Sequence, residues 1–135
     1  MPLHPLVLML VLTLMPRAAE DLVGFRMPSN NVGCQMFTDE GETVLRCDIA
    51  EMKVLPPPPA DCEGEFGHSF QMTERGTADR ICAGDSLIDP RLPILGYGGT
   101  WQRGSFTCRS EQAGLTCFNA AQRGFFLSRV EQRVF

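Results

Sequence analysis

Along this chain, apolar and polar positions alternate in short runs instead of recurring every three and four residues. The runs at 23–27, 31–37, 43–49, 69–73, 79–83, 100–108, 114–119 and 124–128 are β-like, with Gly, Pro, Asn and Asp between them. That spacing predicts one small, mostly β domain, an antiparallel barrel or sandwich. No segment sustains three turns of helical periodicity. A single helical turn is predicted over 129–133, because Ser128 and Glu131 have the spacing of a capping box.

The pattern is different at the start. Residues 6–15 read LVLMLVLTLM, too short for a bilayer, which needs ~20 apolar residues. The run fits the apolar core of a signal peptide, followed by the small residues Ala18 and Ala19. Pro2, Pro5 and Pro16 bracket it and argue against a buried helix. The expected organisation is therefore a signal peptide, 1–19, and a single disulfide-rich β domain, 20–135, with no membrane span after cleavage. The first cysteine, Cys34, lies too far downstream for a lipid anchor.

Composition sharpens this picture. The net charge of the chain is -4, and removing 1–19 makes it more negative. Such a balance speaks against a nucleic-acid footprint and against electrostatic adhesion to anionic lipid. Leu, Ile, Val and Phe make up less than a quarter of 20–135, a thin core that calls for cross-links.

There are 6 Cys, which allow about fifteen pairings. Strand parity narrows them. Cys34 and Cys47 can oppose each other across a turn centred on Glu40 and Gly41, and Cys108 and Cys117 across one centred on Gln112 and Ala113. Alternation puts Val32, Cys34 and Met36 on one face, and Leu45, Cys47 and Ile49 on one face, so both bridges point to the core. Cys62 and Cys82 then pair by elimination. A metal centre is not expected: there is no C-x-x-C, and His68 is the one histidine of 20–135. The stretches around Cys34 and Cys47, and around Cys108 and Cys117, read as a faint internal repeat, two hairpins of one design.

Several residues look like chemistry. Gly84-Asp85-Ser86-Leu87 spells the signature of GDSL esterases, but no histidine follows Ser86 to serve as its base. A turn after Cys82 is the expected role of this stretch. Asp61, Glu63 and Glu65 read as a solvated acidic loop, and His68 as a β residue. The four prolines at 56–59 suit a polyproline II connector between β units better than a docking ligand. Tyr97 and Trp101 flank Gly98 and Gly99 and form the candidate binding surface, with Trp101 also suited to filling the core.

Taken together, Phe25-Arg26, Pro28-Ser29, Asn31-Val32-Gly33-Cys34, Leu45-Arg46-Cys47-Asp48-Ile49, Cys82-Ala83-Gly84-Asp85, Gly114-Leu115-Thr116-Cys117 and the ending Gly124-Phe125-Phe126-Leu127-Ser128-Arg129 resemble a family of small exported bacterial proteins known only as a domain of unknown function. Asn30 stands where that family suggests Gly. The resemblance implies export and six paired cysteines, and it supplies no activity, catalytic residue or cofactor. The resulting expectation is a non-enzymatic exported protein, periplasmic or extracellular, that binds or supports an unknown protein or envelope component. The alternatives are an inhibitor of a secreted or muralytic enzyme and a GDSL-type esterase acting through Ser86.

Overall fold

Ten strands succeed one another, with no helix among the described residues. The computed structural model describes residues 2–3, 10–12 and 22–135, so the expected signal segment 1–19 lies outside its continuous stretch. The strands β1 (Gly24–Arg26), β2 (Val32–Asp39), β3 (Glu42–Ile49), β4 (Glu65–Thr73) and β5 (Ala78–Ala83) form one sheet in that spatial order. The strands β6 (Thr100–Arg103), β7 (Phe106–Glu111), β8 (Gly114–Phe118), β9 (Gly124–Leu127) and β10 (Gln132–Val134) form the other. Each sheet is an antiparallel meander. The two face each other as a sandwich and do not close into a barrel.

The faint repeat of the sequence is a repeat of architecture. Across the first sheet, Phe25, Cys34, Cys47 and Phe70 stand in register. Across the second, Trp101, Cys108, Cys117 and Phe125 do the same. The rows meet face to face: Phe25 packs on Trp101 with ring centroids 5.3 Å apart, and Phe70 on Phe125 at 5.8 Å. Between them the Cys47 and Cys117 sulfurs lie 4.0 Å apart. Both are disulfide-bonded and carry no proton, so this is a van der Waals contact. All three predicted bridges are present, Cys34–Cys47, Cys62–Cys82 and Cys108–Cys117, and each stays within the sheet half of the chain that contains it. The Cα separations of 4.0 and 4.1 Å in the two hairpin bridges suit non-hydrogen-bonded antiparallel pairs.

Turn chemistry sets the registers. Glu40 and Gly41 both take positive φ, 48° and 81°, as a two-residue hairpin turn requires. Gln112 and Ala113 link β7 to β8, as their spacing predicted. The predicted strand 100–108 is divided, because Gly104 at φ 55° turns the chain and pairs Arg103 with Phe106. The predicted helical turn over 129–133 is also replaced. Ser128 Oγ does accept the Glu131 amide at 3.0 Å, but the bond closes a β hairpin. The free edge of β9 captures 132–134 as β10, and an edge ladder outcompetes one isolated helical turn. Asn30 adopts φ 60°, a left-handed conformation that Asn tolerates, so the turn forms without the expected Gly.

The two ends of the sandwich differ. At one, buried Asn119 donates to the carbonyls of Thr73 and Gly76 and accepts the amides of Ala121 and Arg123, which clasps the two sheets together. The connection from β5 to β6 passes outside the first sheet as a strap. Arg46 forms a two-nitrogen pair with buried Asp48, and the strap is bonded to both: Arg46 Nη2 donates to the Asp85 carbonyl, and the Leu87 amide donates to Asp48 Oδ2, each at 2.8 Å. Gln35 adds a bond to the Leu87 carbonyl. The proline run lies between β3 and β4, as expected of a connector, with Pro56 and Leu55 against Gly67 and Pro57 to Pro59 exposed.

Candidate functional site

Each end of the sandwich carries a hollow: one of about 550 Å³ at the Asn119 end, lined by the β2–β3, β4–β5 and β6–β7 turns and including Glu74 and Arg75, and one at the end away from it. The β1–β2 turn, the start of the β3–β4 connection, and the β7–β8 and β9–β10 turns surround a groove of about 480 Å³. Its apolar floor includes Met27, Val32 and Leu127, and its rim includes Asn31, Gln112 and Tyr97. Asn31 fixes the rim by bonding the amide and the carbonyl of Glu51. The loop carrying Tyr97 is tied to β7, since Gly98 donates to the Ser110 carbonyl at 2.7 Å and buried Ser110 Oγ donates to the Leu95 carbonyl. Tyr97 itself is 46% exposed. This is a preformed hollow with an apolar floor and Tyr97 on its wall, and Gln112 is the side-chain amide on its rim that has no hydrogen bond within the described residues.

The two residues singled out from the sequence separate here. Tyr97 lines the groove. Trp101 sits in the interior row opposite Cys108 and packs against the core cluster. Trp101 is thus chiefly a core residue, because strand alternation turns it inward.

A smaller cavity of about 240 Å³ brings together Asp48, His68, Asp85 and Ser86. A search for a histidine downstream of Ser86 misses His68, which β4 delivers from upstream. These residues share a cavity without forming a proton relay. His68 Nδ1 bonds the Ile49 carbonyl at 2.8 Å, Ser86 Oγ accepts the Ile88 amide, and Asp48 is taken by Arg46 and Leu87. The Gly84-Asp85-Ser86-Leu87 stretch forms the first part of the strap. Asp61, Glu63 and Glu65 are exposed.

A family model described as a family of unknown function, DUF6636, matches residues 6–135. The chain belongs to DUF6636. No curated protein and no solved structure matches it.

For this DUF6636 chain the cysteines are scaffold. The sulfurs of Cys34, Cys47 and Cys117 lie within 4.8 Å of one another, but each belongs to a disulfide and offers no thiolate to a metal. Three disulfides suit an oxidising environment. No helix among the described residues is long and apolar enough to cross a membrane. The groove was invisible in the DUF6636 sequence because five connections far apart in the chain build it. Tyr97 beside Gly98 and Gly99 was its one legible sign.

Proposed function

We propose that this protein is a non-enzymatic binding module of the bacterial envelope, exported by its apolar leader. The observation that carries this reading is the groove beside Tyr97. It is built jointly by both sheets and held in shape by a cross-linked core, so a ligand meets a surface that needs no ordering on binding. An inhibitor of a secreted enzyme is one form of the same activity, with Tyr97 as its contact. A photoreactive residue placed at Tyr97 tests the reading in cells, with exposed Arg103, which lines none of the hollows described, as control. Discrete adducts with another protein from position 97 and none from 103 are expected. Equal adducts from both, or none from 97, removes the groove as a binding site.

One observation favours a second reading, a GDSL-type esterase: His68 and Ser86 share a cavity. Hydrolysis of short acyl esters that vanishes in Ser86→Ala and in His68→Gln supports it. Turnover that survives both substitutions removes it.

A further inference from the structure

The edges of the two sheets are guarded unequally. β1 is covered by the segment that follows the strap: the Arg26 amide donates to the Pro93 carbonyl and the Leu95 amide to the Arg26 carbonyl, each at 2.9 Å. β5 carries the charges of Asp79 and Arg80 and is bridged at Cys82 to Cys62. Arg80 also reaches across to Gln132 of β10 at 3.1 Å, so those two edges lean together. Covering segments, charges and cross-links are the means by which proteins keep sheet edges from pairing. β6 has none of them along Thr100, Trp101 and Gln102, and no described segment pairs with its outer side.

The register fixes where the backbone of β6 points. Cys108 and Cys117 have Cα atoms 4.1 Å apart, a non-hydrogen-bonded pair, so Cys108 turns its amide and carbonyl toward Trp101. Alternation then aims the amides and carbonyls of Thr100 and Gln102 away from the sheet. None of these groups has a backbone partner among the described residues.

The core also shows at this margin. Trp101 and Leu95 pack against the core cluster, yet both stay half-buried. Cys108, Cys117 and Phe125, in register with Trp101 across the sheet, are fully buried. The aromatic–cystine row of the second sheet thus ends on a part-exposed ring at an unpaired edge.

We infer that β6 pairs with β6 of a second copy of this chain, antiparallel about a two-fold axis at Trp101. The edge is self-complementary in that register. Thr100 faces Gln102 of the copy and Gln102 faces Thr100, so each exchanges its amide and carbonyl with a residue offering the same two groups. Trp101 faces Trp101 of the copy, and a cross-strand aromatic pair covers what the monomer leaves exposed. Arg103, the one charge on the strand, faces Gly99, so no like charges meet. A foreign strand would find the same amides, but symmetry itself brings a ring to the position facing Trp101 and a glycine to the position facing Arg103. The antiparallel arrangement also opens the two Tyr97 grooves in opposite directions, a consequence that rests on the groove reading while the pairing does not.

Sedimentation equilibrium of the intact, oxidised protein from micromolar to millimolar concentration reads the mass, and amide hydrogen exchange on the same samples reads the edge. Twice the monomer mass is expected, with exchange at Thr100 and Gln102 slowing as the dimer forms. Gln102→Pro removes an amide that bonds nothing within the monomer and should weaken association about thirtyfold through the hydrogen bonds lost. Two pairs of substitutions at the exposed positions 100 and 102 test the register. Thr100→Glu with Gln102→Glu sets like charges opposite each other and should give a monomer. Thr100→Glu with Gln102→Lys sets opposite charges together and should restore the dimer. Unchanged far-UV circular dichroism shows that each variant is folded. A monomer at every concentration overturns the inference, as does a dimer that survives Gln102→Pro undiminished or ignores the charge swap. Protection of both amides in a monomer also overturns it, and assigns the edge to residues 1–21 of the same chain.

Discussion

Cys47 and Cys117, seventy residues apart, place their sulfurs 4.0 Å from each other at the centre of the sandwich. Each belongs to a hairpin disulfide of its own sheet. Replacing Cys108 and Cys117 together by Ala should lower stability by about 3 kcal/mol, and so should replacing Cys34 and Cys47. Because the bridges touch, the fourfold variant should lose about 1 kcal/mol less than the sum. Urea unfolding of the four proteins measures this, and strict additivity would contradict the contact.

Asn119 is a second focus of stability. Its side chain is buried and makes four hydrogen bonds that tie turns of opposite sheets. Asn119→Ala leaves those backbone groups unpaired and should cost about 3 kcal/mol. Hydrogen exchange should report the loss first in 73–76 and 119–123. Equal protection in the variant would show that the clasp is dispensable.

Trp101 and Tyr97 should behave oppositely. Trp101→Ala removes a ring that packs on Phe25 and should cost about 3 kcal/mol. Tyr97→Ala should change stability by less than about 0.5 kcal/mol and act on groove binding instead. Thermal unfolding of the pair decides between them.

The strap depends on the Arg46–Asp48 pair. Asp48 is 2% exposed, so Asp48→Ala strands a guanidinium and frees the Leu87 amide, at a cost of about 3 kcal/mol. Ser86→Ala should leave stability almost unchanged. Limited proteolysis within 84–92 should accelerate only in the first variant.

Asp89 provides a pH signature. Hydrogen bonds from the Arg91 side chain and amide hold its carboxyl at about 2, below its ordinary value of about 3.9. The folded value is depressed, so this pair stabilises fully above pH ~4 and loses its effect as pH falls through about 2. Carboxyl NMR titration should locate that midpoint, and Arg91→Gln should return it toward the ordinary range.

Much of the fold was legible because it rests on local rules. Period-2 alternation located β2, β3, β8 and β9 closely, and two-residue turns fixed the cysteine registers. One miss was local: Gly104-Ser105 is a two-residue turn within a run that is β-like on both sides. The others were non-local, and β10 exists because β9 offers an edge. The strap could not be read either, since Asp48 and Leu87 meet only once the first sheet has formed. The same holds for the site: Tyr97 was marked by its glycines, but the groove walls and His68 beside Ser86 are products of topology.

Every disulfide lies within one half of the chain, so oxidation stiffens the two sheets and leaves the joint between them uncovalent apart from the strap and its continuation to β6. In mechanical terms the protein is a dimer written on one polypeptide. Each half presents an aromatic–cystine–aromatic row that only the other half covers, and the halves can part without any sulfur being reduced. A single backbone cut after the strap would turn this domain into two chains, held together by the packing of Phe25 on Trp101 and Phe70 on Phe125, the Asn119 clasp and the contact between two cystines.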